Sequence, residues 1–274
     1  MGEMLNYPFF RLALLAVIII SVAAAVIGTY IITRRLVAIC GGITHACFGG
    51  LGLGYFLGVS PVALAAVFAV ASSLGVDWMS RRFRVREDSA IAVVWALGMA
   101  VGVLFVFLTP GYVPELNSFL FGNILTVTPA DICVFGAFTA ALLLFMALYF
   151  KEIVAVAFDR DFARVSGLPV TLISTVMTVM VALCIVLTIR LVGVMLLMSM
   201  LSLPMMTAES FVHRFGPLMR VSVVISIVCC VAGLFVSAVI DVPASAIIVL
   251  LMAGVFIVAR VLRAVFRRRL PAKA

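Results

Sequence analysis

Long apolar blocks, each broken by a short polar or basic stretch, run the length of this chain. Nine can be marked, at about 9–32, 37–58, 61–79, 90–109, 131–150, 168–189, 191–207, 218–240 and 243–262. Most approach the roughly 20 residues that a helix needs to cross a hydrocarbon core about 30 Å thick. No water reaches that core, so the backbone must bond to itself, and helices are the expected elements. The pattern therefore predicts an all-α, polytopic transmembrane helical bundle of about nine spans. The seventh block is short, and without it the count is eight.

The charges test this map. With the N-terminus outside and the spans alternating, Arg34 and Arg35 fall inside, as do Arg81, Arg82, Arg84 and Arg86. So do Lys151, Arg160, Arg164, Arg214 and Arg220, and the tail adds Arg260, Arg263, Arg267, Arg268, Arg269 and Lys273. That places 17 of the 19 Lys and Arg on one side and leaves only Arg11 and Arg190 on the other. Cytoplasmic loops carry such an excess of basic residues, so the expectation is N-out and C-in, with an odd number of spans. The seventh block is needed for that parity.

Composition agrees. The 274 residues are 66% hydrophobic and only 11% charged, against about 25% charged in an average soluble domain. A net charge of +8 could suggest nucleic acid, but the basic residues sit between apolar blocks and at the C-terminus, as orientation signals do. No nucleic-acid partner is expected; the membrane lipid is. Cys40, Cys47, Cys133, Cys184, Cys229 and Cys230 lie inside apolar blocks and read as small hydrophobes, not as a disulfide framework. The opening residues, with Glu3 and no basic residue before Arg11, do not read as a signal peptide. No soluble domain stands apart, so 1–274 is read as a single transmembrane domain with a basic tail at 263–274. The stretch 110–130, with three prolines around an apolar middle, fits either a surface loop or a segment dipping into the membrane under protein cover.

Enzymatic motifs are missing from the sequence. It holds no Gly-rich loop ending in Gly-Lys-Ser/Thr, no His-Glu-x-x-His and no Gly-x-Ser-x-Gly. If ATP drives this protein, a partner binds and hydrolyses it. His45 is the sharpest polar position, midway along the second block, and an ionisable residue there marks a functional site by default. Imidazole is also a common transition-metal ligand. The alternative is a histidine bonded to a neighbouring helix. Gly50, Gly54 and Gly58 repeat every four residues, with Gly52 among them. This suits close helix packing, or a broken helix lining a pathway. Glu209 and His213 would share a face if helical, and Asp241, before Val242-Pro243, reads as a helix start. The methionines from Met195 to Met206 read as gap-filling core.

Residues 158–169 predict a short amphipathic helix between two spans. Asp159 suits an N-cap. Phe158, Phe162 and Val165 recur at helical spacing, while Arg160, Asp161 and Arg164 point elsewhere. Gly167 suits a left-handed C-terminal position, with Pro169 opening the next span. Such a helix could lie on the membrane, face a soluble partner, or merely connect.

These residues bring a family into view. Arg34-Arg35, Gly41 and Thr44-His45-Ala46 form one motif and Glu87-Asp88-Ser89-Ala90-Ile91 a second. Leu116 to Leu125 is the most specific, followed by Phe158-Asp159 with Phe162-Ala163 and Gly167, and by Gly193 to Pro204 with Thr207-Ala208. In that order, over roughly residues 10 to 260, the chain resembles the membrane permeases of ATP-binding-cassette importers for divalent metals, the group that handles zinc, manganese and iron. The resemblance implies a permease subunit, not an enzyme, in a bacterial cytoplasmic membrane, moving the ion by alternating access. It implies a homodimer, two cytoplasmic ATPase subunits that hold the ATP, and an extracytoplasmic metal-binding protein. It makes 158–167 the coupling helix, through Asp159, Arg160, Phe162, Ala163, Arg164 and Gly167. His45 would touch the metal, with Thr44 and Cys47 as further donors. One departure stands out: where the family commonly has an Asp one turn before this His, the chain has Gly42. Loss of a hard oxygen ligand disfavours manganese, so zinc is the expected cargo, with manganese or iron behind it and no resident cofactor. The alternatives are an ATP-driven permease for a metal chelate or other small cargo, and a secondary transporter or channel working alone.

Overall fold

A computed structural model describes residues 6–83, 85–110, 122 and 124–269. Residues 116–121 and 123 of the Leu116 to Leu125 motif therefore lie outside the described residues, as do Glu115 and the end of the basic tail with Lys273. The helices are α1 (Pro8–Thr33), α2 (Val37–Leu57), α3 (Pro61–Phe83), α4 (Glu87–Leu108), α5 (Pro129–Leu148), α6 (Phe150–Phe158), α7 (Arg160–Val165), α8 (Val170–Ala208), α9 (Phe215–Ile240) and α10 (Ala244–Arg269). A short 3-10 turn, Ile124–Thr126, precedes α5.

Among the described residues, eight helices are long and apolar enough to cross a membrane. Nine blocks become eight helices at one place. The sixth and seventh blocks both lie in α8, which is 39 residues long, or about 58 Å if straight, twice the hydrocarbon core. It is really two helices that meet at Gly193, whose φ of 75° and ψ of 171° are not helical. That backbone region is open essentially to glycine alone. Each block thus has its own half of α8. The half after Gly193 has 15 residues and reaches only about 22 Å, which is why its block looked short.

The chain divides into two compact units. The first comprises Met1–Ile32, Ile124–Thr139 and Met195–Ala274. Its most buried span is α1, where Ala13, Ala16, Val17, Ile20, Ala24 and Ile27 are all nearly inaccessible. Small residues let the backbones close in: a Cβ at Gly28 would strike the backbone of Leu201, 2.9 Å from its carbonyl carbon. Met205, Ala208 and Leu218 form a small core with Ile32, Val212, Val221 and Ile225 against it. The helix α9 packs on α10. Asp241 does not start a helix. It ends α9 in the left-handed conformation (φ 57°), while the backbone N–H of Val242 reaches back to the Ser237 carbonyl at 3.3 Å. Pro243 then separates it from α10. Glu209 and His213 do not share a helix face, because α8 stops at Ala208. The methionines divide: Met200 and Met205 are buried, whereas Met195 is exposed.

The second unit comprises Thr33–Asn123 and Ala140–Val194. Here α2 packs extensively on both α3 and α4. The contact is made by glycine. A Cβ at Gly50 would lie 2.5 Å from the Leu64 carbonyl oxygen, one at Gly54 2.6 Å from Cα of Pro61, and one at Gly52 2.9 Å from Cα of Gly102. Of the two readings of the glycine repeat, intrachain helix packing is the one observed, and α2 is unbroken. Exposed apolar residues such as Val67, Leu97, Leu104 and Phe107 line the outer faces of α3 and α4, where a bilayer covers them at no cost.

Candidate functional site

The run Cys40 to Gly50 is buried at every position but one, His45. Thr44 and Cys47 are nearly inaccessible, and Thr44 Oγ1 has no hydrogen-bond partner among the described residues. So of the three residues that the sequence singled out as metal donors, only His45 opens to the surface. Among the described residues, no three His, Cys, Asp or Glu side chains come together in a group that could hold a metal ion.

The fourth helix supplies what sequence reasoning missed. Trp95 lies flat against His45, with ring centroids 4.4 Å apart and planes 5° from parallel. Each is the ninth residue of its helix, α2 or α4. A signal was present: tryptophans gather at membrane interfaces, and Trp95, one of only two in the chain, falls well inside an apolar block.

The turn before His45 holds Gly41 and Gly42, both buried. A Cβ at Gly42 would lie 2.5 Å from Cγ2 of Ile91 on α4. An isoleucine methyl from α4 therefore fills the space beside Gly42.

The segment between α6 and α8 is built as its sequence suggests. Asp159 caps α7: its carboxylate accepts hydrogen bonds from the backbone N–H groups of Asp161 (3.0 Å) and Phe162 (2.9 Å). At the other end Gly167 stands at φ 76°. Its N–H donates to the Arg164 carbonyl and that of Leu168 to the Ala163 carbonyl, both at 3.1 Å, which is a Schellman closure. Ala163 is buried, and the Arg160 guanidinium donates to Ser174 Oγ at 2.8 Å, fastening α7 to α8. The apolar stripe faces outward: Phe158 and Phe162 are each 65% exposed and Val165 89%. The Arg164–Asp161 pair at 3.6 Å is exposed and contributes little.

A second junction lies at the break in α8. A Cβ at Gly122, itself at φ 62°, would meet the backbone of Val192 and Gly193 and come within 2.7 Å of the Leu191 carbonyl oxygen. Gly122, within the Leu116 to Leu125 motif, therefore rests directly on the broken point of the helix.

Eight helices of membrane-spanning length among the described residues, with a half-buried histidine on one and a capped, apolar-faced helix between two others, mark a polytopic membrane protein. Residues 6–263 match the ABC 3 transport family, and the chain belongs to that family. It is 36% identical over 238 residues to a probable metal transport system membrane protein of Chlamydia pneumoniae, covering 85% of this chain and 81% of that one. It is 29% identical over 257 residues to the manganese transport system membrane protein MntC of Halalkalibacterium halodurans, covering 94% and 88%. Among solved structures it resembles PsaBC from Streptococcus pneumoniae in complex with Fab, with a TM-score of 0.83, 26% identity and 94% of each chain covered.

Proposed function

We propose that this chain is the permease subunit of an ATP-driven importer that carries a divalent metal ion across the bacterial cytoplasmic membrane, acting as a single transmembrane domain. The observation that carries the reading is His45, the one open position in an otherwise buried stretch of α2. An ionisable side chain facing lipid is costly, so its face calls for cover. A second copy of the chain supplies that cover and brings two imidazoles towards one axis. A homodimer with the pathway at that axis follows.

Zinc is the first candidate for cargo. Imidazole suits zinc, whereas manganese favours oxygen ligands, and the turn before His45 offers glycine and an isoleucine methyl instead of a carboxylate. The manganese named for the relative from H. halodurans makes that ion the direct comparison. The driving energy comes from two cytoplasmic ATPase subunits docked on α7, where Phe158, Phe162 and Val165 present an apolar face beside Arg164 and Asp161. An extracytoplasmic metal-binding protein delivers the ion. The test is uptake by cells co-expressing the chain with its neighbouring ATPase and binding protein, with zinc, manganese and iron offered in turn. Zinc uptake that depends on the ATPase supports the reading; a complex that assembles and accumulates no metal refutes it.

A further inference from the structure

A metal binds imidazole through a lone pair in the plane of the ring, so the plane must be held. Protein metal sites usually hold it by hydrogen-bonding the second ring nitrogen to a carboxylate or a carbonyl. Here no described residue hydrogen-bonds His45, and glycines stand where a carboxylate one turn away could have done so. What touches the ring is Trp95, parallel to it and 4.4 Å away.

We propose that Trp95 is a positioning residue for His45, its indole face holding the imidazole in one plane so that a ring nitrogen meets the passing divalent cation edge-on. The inference rests on the transport reading above. Stacking suits this task because it uses the face of the imidazole and leaves its edge, with both nitrogens, free. A coordinated cation also draws electron density from the imidazole, and the electron-rich face of an indole attracts an electron-poor ring. The stack therefore tightens as the ion arrives. Its geometry is fixed by the backbone beside it. A Cβ at Gly98, one turn after Trp95, would lie 3.0 Å from Cβ and 3.1 Å from the carbonyl oxygen of Ala46, the residue after His45. A Cβ at Gly49 would lie 3.0 Å from the Gly98 carbonyl oxygen. With the backbones of α2 and α4 this close, the two helices cannot slide along each other, and the ring-bearing positions stay level.

The test uses the full-length chain in lipid nanodiscs with Trp78→Phe, which leaves Trp95 as the only tryptophan. Its emission is followed while zinc, or paramagnetic cobalt as a quencher, is titrated in. The expected result is a saturable change that disappears in His45→Ala. In cells, Trp95→Leu should raise the zinc concentration for half-maximal uptake about three- to tenfold, the worth of one immobilised side chain. Trp95→Phe, which keeps an aromatic face, should recover most of it. Emission that ignores both ions while uptake still requires His45 overturns the inference and leaves the transport reading standing. Unchanged half-maximal uptake in Trp95→Leu also overturns it. If the unmodified complex takes up no metal, the transport reading fails first.

Discussion

Replacing Gly98 with alanine tests whether α2 and α4 touch as closely as described. The added methyl would lie 3.0 Å from Cβ of Ala46, 3.1 Å from its carbonyl oxygen and closer still to its Cα. Two of these are backbone atoms, so no side chain can turn aside, and α4 must back away from α2. Overpacking of this kind costs about 1–3 kcal/mol. Better helix propensity returns up to about 1 kcal/mol, leaving a net loss near 1–2 kcal/mol. The control is Gly136→Ala in α5, where nothing lies within 4 Å of the new methyl. Only propensity acts there, so that variant should be unchanged or up to about 1 kcal/mol more stable. Denaturant unfolding of the two purified variants in detergent, followed by circular dichroism, makes the comparison. Zinc uptake should fall in Gly98→Ala along with stability, because the retreat of α4 carries Trp95 off His45. Equal stability of the two variants would refute the close backbone approach and the fixed stack built on it.

Three further outcomes follow from single residues. Gly193→Ala forces a side chain into a glycine-only conformation, at a cost of about 1–3 kcal/mol, and should lower both folded yield and uptake. A variant matching the parent in thermal unfolding would count against the break in α8. Asp159→Ala removes the cap of α7, worth about 0.5–2 kcal/mol, and should leave ATP hydrolysis running in the assembled complex while less metal enters. Unchanged metal moved per ATP would argue against α7 as the coupling element. Thr44→Val deletes a buried hydroxyl with no partner and should be neutral or stabilising, with uptake intact. A sharp loss of uptake would return Thr44 to the pathway.

Hydropathy alone placed the long helices, since a 20-residue apolar block has one stable form in lipid, but the short α6 was not marked by any block. The block at 37–58, for example, is α2 within a residue at its end. The division of α8 was legible as two blocks, but the hinge itself depends on a backbone conformation at Gly193 that hydropathy does not encode. Caps were readable where the residue acts locally: Asp159 and Gly167 do what their side chains permit. Asp241 misled because Asp serves a left-handed helix end as well as a helix start, and the sequence Asp-Val-Pro suits both. His45 stood out through its cost in a membrane. Its partner did not, because the pairing of His45 with Trp95 comes from helices 50 residues apart in sequence, brought level by glycines on both. Nor could the sequence show that Thr44 and Cys47 turn inward while His45 turns out.

The most direct test of the central claim is zinc uptake in importer-deficient cells carrying the complete complex, with His45→Ala beside the parent at matched membrane levels. The expected result is ATPase-dependent zinc accumulation in the parent and a large loss in the variant. Equal accumulation in both would remove His45 from the pathway, and a parent complex that assembles yet accumulates no zinc would contradict the metal-import reading itself.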